Sequence, residues 1–239
     1  MKQGLSRKSS KLYFLFTVEN GEGMLLRQVE KKDREAAQAR LARMGIDDLW
    51  LPAIEPSAAV EGTYVRFDGG TIQHTPAQQG AALSHIAALS MGRAYQWEWV
   101  GLWEEDVEGV PSLGAREFSL PADCGVVYLG GILWGKARDY GHEVDSPGQG
   151  VWRVAQPWPI SCTHAVMIHA SAMDDVIASC ARMDMTADDC VSRACIDATK
   201  RGSWSTCFVQ PWLAWQVDRR ETWPNELIKG EREETKQNE

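Results

Sequence analysis

Short apolar runs alternate along this chain with stretches in which apolar residues recur every three to four positions, a pattern that predicts strands interleaved with helices. The first run, within Leu12–Val18, reads as a buried strand. After a turn at Gly21–Gly23, KKDREAAQARLARMGI carries Ala37, Leu41 and Met44 at helical spacing, and Gly45 is placed to end that helix. LWLPAIE, residues 49–55, reads as a second strand. In TPAQQGAALSHIAALSMGRAYQ, Thr75 can cap, Pro76 suits the first helical position and Gln78 completes a capping box. WEWVGLW alternates Trp97, Trp99 and Trp103 with Val100 and Leu102, the period of a strand, which assigns these indoles to the core. CGVVYLGG, residues 124–131, is another apolar strand.

Residues 132–160 mix Gly, Pro, Trp and charge without a sustained period, so they read as a long functional loop or an insertion in the sheet. Beyond them, THAVMIH at 163–169 predicts a strand, and SAMDDVIASCARM puts Met173, Val176, Ile177 and Cys180 on one helical face. In the next helix Thr186 and Asp189 form a capping pattern, Val191, Ala194, Cys195 and Ala198 the apolar stripe, and Gly202 the stop. STCFVQPWLAWQ reads as a last strand and turn. The order of these elements predicts an α/β layer structure, with one domain over residues 1–217 and a charged, solvated tail over 218–239.

At 239 residues and 44% hydrophobic content, the chain can bury a sizeable core. A net charge of −8 offers no broad cationic field for a phosphate backbone, which weighs against a nucleic-acid partner. Lys2, Arg7, Lys8 and Lys11 before the first apolar run imitate a signal peptide. That run is too short for export or a membrane span and lacks a cleavage pattern, so the expectation is a cytoplasmic protein with no transmembrane segment. The six cysteines form no CxxC pair and no Cys/His grouping, and are expected to be reduced and mostly buried.

The apolar strand WVGLW runs into three consecutive carboxylates, Glu104, Glu105 and Asp106. Alternation along an extended chain points Glu104 and Asp106 the same way and Glu105 the other. Two hard oxygen donors at a strand exit suit Mg²⁺ or Mn²⁺, held by one or two carboxylates and completed by phosphate oxygens and water. A solvated acidic turn is the competing reading of the same three residues.

The order of several segments resembles glycosyltransferase family 25, whose bacterial members build lipopolysaccharide and whose animal relatives glycosylate collagen. The chain has YFLFTV with Arg34 after it, then QQGAALSHIAAL, LWEEDV, YLGG at 128–131 and THAVMI at 163–168, in the family's order from about residue 11 to 216. Gln216 ends a segment resembling the family's P-x-L-x-x-Q. Departures are Glu105 for the central Asp of the triplet, Ala81 for the Cys of the helix motif and Val166 for a Tyr.

The resemblance implies a GT-A type fold, Rossmann-like with a mixed central sheet, that binds a nucleotide sugar, here expected to be a UDP-linked hexose. It places Glu104 and Asp106 on a Mn²⁺ or Mg²⁺ ion, and Arg34, Ser84, His85, Glu105, Gly130 and Gly131 around the donor. The transfer to a hydroxyl acceptor is expected to invert the anomeric centre, with His85, Asp188 or Asp189 as base. Acidic residues at a helix start are also favoured by its unpaired N–H groups and dipole, so both aspartates have a structural alternative. His164 is a further candidate for the donor neighbourhood, and Trp134, Trp152 and Trp158 for an acceptor-binding wall. The expected acceptor is a glycan, with a hydroxylated protein or a hydroxymethylated DNA base as alternatives. An inactive GT-A domain used for binding is the reading from a different class.

Overall fold

The computed structural model describes residues 14–15, 31–46, 50–51, 63–65, 71–73, 76–104, 107–111, 113, 118–133, 136–144, 150–155 and 159–216. The first half comprises β1 (Phe14–Leu15), α1 (Lys31–Arg43), β2 (Trp50–Leu51), β3 (Thr63–Val65), β4 (Thr71–Gln73), α2 (Pro76–Ala94), β5 (Trp99–Trp103) and β6 (Val107–Gly109). The second comprises β7 (Cys124–Ile132), α3 (Ala137–Tyr140), β8 (Gly141–Glu143), β9 (Val151–Val154), β10 (Ser161–His169), α4 (Ala170–Ala181), α5 (Ala187–Arg201), β11 (Ser205–Val209) and β12 (Ala214–Gln216). The rest of the two first predicted strands and the tail from Asp218 lie outside the described residues.

A six-stranded mixed sheet in the order β5-β10-β7-β11-β9-β8 forms the centre. β7 and β11 are parallel, while β10 runs antiparallel between β5 and β7, so β5, β7 and β11 all point one way. The α/β class and mixed sheet expected from the sequence are therefore present. β1 pairs in parallel with β2 and adjoins β5. All five residues of β5 and eight of the nine in β7 are buried. Such strands read as continuous apolar runs because both their faces are covered.

One face of the sheet packs against α2, α4 and α5, through a core that includes Leu89, Val100, Leu102, Tyr128, Ile168, Met173, Val176 and Phe208. The opposite face is covered by α1, whose Leu41 and Met44 join Trp99, Trp103, Val127, Leu129 and Met167. Period-two alternation within β5 thus sends Trp99 and Trp103 to one core and Val100 and Leu102 to the other. Helix stops fall where glycine allows the left-handed backbone: Gly45 has φ +70° after α1 and Gly202 has φ +64° after α5. Buried Arg193 ties α5 to α4, its guanidinium donating to Ser179 Oγ at 3.0 Å, to the Ser179 carbonyl and to Asp184 Oδ1 at 2.6 Å.

Residues 132–160 are not simply a loop. Among them, α3 leads into β8, β8 pairs with β9, and β9 pairs with β11, so the segment builds one edge of the central sheet. The insertion reading holds for this part. Trp152, expected in an acceptor wall, lies on β9, is half-buried and stacks on Phe208 with ring centroids 6.0 Å apart. Trp134 and Trp158 lie outside the described residues.

Candidate functional site

β5 and β7 end at the edge of the sheet where β10 begins, because Ser161 of β10 lies opposite Ile132 and Ala165 opposite Trp103. In open α/β sheets this carboxyl edge is where strand order leaves a crevice for ligands. A small antiparallel pair, β6 with β12, sits against the same edge, with Gln216 opposite Val107 and Ala214 opposite Gly109. The Val107 N–H closes the turn from β5 into β6 on the Glu104 carbonyl at 3.1 Å.

Glu104 stands at the centre of this edge. Its backbone N–H donates to the His164 carbonyl, its Oε1 accepts from Thr163 Oγ1 at 3.2 Å and its Oε2 accepts from Gln216 Nε2 at 3.3 Å. Both of these side-chain donors are neutral, and together they orient the carboxylate. Such an oxygen pair suits a hard divalent cation. Among the described residues no group of three or more His, Cys, Asp or Glu side chains is arranged to hold a metal ion, and Glu105 and Asp106 lie outside them.

Thr163 reaches Glu104 from an irregular stretch of β10. Between Ser161 and Ala165 the register against β7 shifts, leaving more residues on β10 than on its partner. Cys162 takes φ +68° there, a left-handed conformation that costs a non-glycine residue about 1 kcal/mol or more. Its N–H donates to Asp188 Oδ2 at 3.3 Å, and the other oxygen of Asp188 accepts from the Thr186 hydroxyl. Thr186 is the N-cap residue of α5 by backbone geometry, but its side chain makes no cap bond. The expected capping box is thus replaced by a contact to Asp188, and Asp188 bridges the start of α5 to the β10 bulge.

The two glycines of YLGG are enclosed by protein. A Cβ on Gly130 would overlap the Ala214 carbonyl oxygen and come within 2.5 Å of His164 Nε2. One on Gly131 would lie 3.1 Å from both Ile160 Cγ2 and the Ser161 carbonyl oxygen. Their missing side chains let β12 and the β10 bulge close onto β7. Tyr128, one residue pair earlier on the strand, is fully buried, and burial pushes its phenol well above the usual range.

Ser84 and His85 are buried on α2, at 1% and 0% exposure. Neither ring nitrogen of His85 has a hydrogen-bond partner among the described residues. Burial lowers its pKa from 6.5 to about 4, against the opposing pull of the nearby Asp188 charge, so the ring is neutral at neutral pH. The imidazole expected to contact the donor or act as base is thus enclosed within α2 and its packing neighbours. His164 is equally enclosed, at 1% exposure. Asp189, next to Asp188, is half-buried. Arg34 lies on α1, with its side chain outside the described residues.

The sequence matches no protein-family model and no curated protein. Solved structures do match, among them a glycosyltransferase involved in the glycosylation of the major capsid of PBCV-1. It is 13% identical with a TM-score of 0.33, over 72% of this chain and 67% of that one. A likeness of that extent does not by itself fix a shared fold or activity.

Three segments singled out in the sequence, LWEEDV, THAVMI and the ending at Gln216, thus meet at one carboxylate. The left-handed Cys162 and the bridge from Asp188 had no sequence signal, since nothing about a Cys between Ser161 and Thr163 marks a turn. No described helix is long and apolar enough to cross a membrane.

Proposed function

We propose that this chain is a glycosyltransferase of the GT-A type that moves a hexose from a nucleoside diphosphate, UDP, to a hydroxyl acceptor with inversion. The observation that carries this reading is the meeting of Glu104, Thr163 and Gln216 at the carboxyl edge of the sheet, from segments 59 and 112 residues apart in pairing. An acidic residue fixed by two neutral donors at the mouth of an α/β sheet is suited to a cation–diphosphate ligand rather than to a solvated turn.

On this reading Glu104 and Asp106 would hold Mn²⁺ or Mg²⁺. Such an ion supplies electrostatic stabilisation to the negative charge that builds on a departing diphosphate. The chain's own part is to orient Glu104 through Thr163 and Gln216. A glycan is the favoured acceptor, because a net charge of −8 weighs against DNA. The reaction is assigned to the cytoplasm.

Calorimetric titration with UDP, and with GDP as control, in the presence and absence of Mn²⁺ tests the reading. UDP should bind only with the metal, and Glu104→Gln or Asp106→Ala should weaken binding tenfold or more. If no nucleotide binds under any of these conditions, the transferase reading fails and the domain is a binding module of another kind.

A further inference from the structure

Asp188 was a candidate base in the sequence, yet its carboxylate is turned onto the backbone of Cys162 and the hydroxyl of Thr186. The residue it grips is the one that leaves ordinary backbone space, with φ +68°. The next residue along, Thr163, donates to Glu104. Ser161 and Ala165 are fixed by pairing with β7, and the His164 carbonyl accepts from the Glu104 N–H at 3.1 Å, so Cys162 and Thr163 lie in the bulge between these anchors. The Asp188 contact is a tether from the first turn of α5 to that bulge.

We propose that Asp188 is a positioning residue: by holding the left-handed Cys162 it seats the Thr163 hydroxyl on Glu104 and so sets the direction of the Glu104 carboxylate. Its effect on UDP and Mn²⁺ rests on the function proposed above, whereas its effect on Thr163 does not. A base for the acceptor hydroxyl would not influence nucleotide binding without acceptor, but a residue that aims Glu104 would.

The test is a double-mutant cycle of Asp188→Ala and Thr163→Val, read by UDP affinity in MnCl₂ without acceptor and by urea unfolding of the same four proteins. Asp188→Ala should weaken UDP three- to tenfold in the wild-type background and have no further effect on Thr163→Val. Asp188→Asn, which keeps an oxygen to accept the Cys162 N–H, should recover most of the loss. Unchanged affinity in Asp188→Ala, or effects that multiply in full in the double variant, overturns the proposal and leaves the transferase reading intact. If the wild type binds no UDP, the transferase reading falls, and the unfolding cycle decides this one. Independent effects on the unfolding constant overturn it, and a coupling of threefold or more sustains it.

Discussion

The side-chain amide of Gln216 donates to Glu104 Oε2 at 3.3 Å, although 112 residues separate them in the chain. β12 is thereby fastened to the exit of β5. A neutral donor on a carboxylate is worth about 1.5–3 kcal/mol, less where water can replace it, as at these half-buried side chains. Gln216→Ala is expected to cost about 1 kcal/mol in urea unfolding. Gln216→Glu should cost more, because it sets a second negative charge against Glu104, and the excess should shrink as salt is raised. Equal losses for the two variants at all salt concentrations would show that the bond does not form.

His85 predicts a specific loss of stability in acid. Its folded pKa of about 4 lies below the 6.5 of an exposed histidine, so between these values the unfolded chain takes up a proton that the folded protein does not. The stabilising difference is complete above pH 6.5 and is lost as pH falls toward 4. At about 1.4 kcal/mol per pKa unit, roughly 2 kcal/mol of stability disappears between pH 7 and pH 5 from this group alone. His85→Leu should remove that component, and it should cost little at pH 7 because the buried ring nitrogens have no described partner to lose. Unfolding free energies of both proteins at the two pH values check this; parallel losses would refute it.

The same histidine illustrates what could be read from the sequence and what could not. Its neighbours at helical spacing, Ala81, Ala82, Ala88 and Leu89, are all apolar and all buried, so the stripe was compatible with burial of His85 without deciding it. The motif around it suggested a ligand contact, and the structure shows the ring enclosed by packing. Helices were legible because Pro76, Gly45 and Gly202 punctuate them and their stripes are long. β8, β9, β6 and β12 were not, since strands of three or four residues are too short for a period of two to stand out, and β8 and β9 carry Glu143 and Arg153 at a sheet edge. At the site, each of Glu104, Thr163 and Gln216 falls in a segment that drew notice by itself. Their meeting depends on strand order, and the pairing of β10 between β5 and β7 is a property of the whole chain that no local window contains.

All six cysteines are free, and five are buried; Cys162 alone is partly exposed, at the bulge beside Glu104. Burial pushes the Cys195 thiol up to about 12, so it holds little reactive thiolate. Cys124 is raised as well, first by its hydrogen bond with Cys207 and then by burial. Native protein is therefore expected to react rapidly with a thiol reagent at one position, identified by peptide mass as Cys162, and at all positions only after unfolding. Bound UDP and Mn²⁺ should slow the Cys162 reaction if the ligand seats at this edge. Fast native labelling of a second cysteine would contradict the packing described here.

Gly130 provides the sharpest test of how the edge is assembled. Two groups from neighbouring elements close on its Cα: the Ala214 carbonyl of β12 and the His164 ring of the β10 bulge. A methyl group there meets a backbone oxygen that cannot rotate away and a ring with no room to swing, since His164 is 1% exposed. Overpacking of this kind costs about 1–3 kcal/mol, and the strain can be relieved only by lifting β12 or displacing the bulge. Either movement pulls a donor from Glu104, Gln216 in the first case and Thr163 in the second. Gly130→Ala should therefore lose stability and UDP–Mn²⁺ affinity together, whereas Gly202→Ala, at a helix end with open space around it, should lose stability alone through its left-handed backbone. Measuring both variants by urea unfolding and calorimetry separates a local defect at the edge from a general loss of fold. Full affinity in Gly130→Ala would mean that the edge does not bind the nucleotide in the arrangement described.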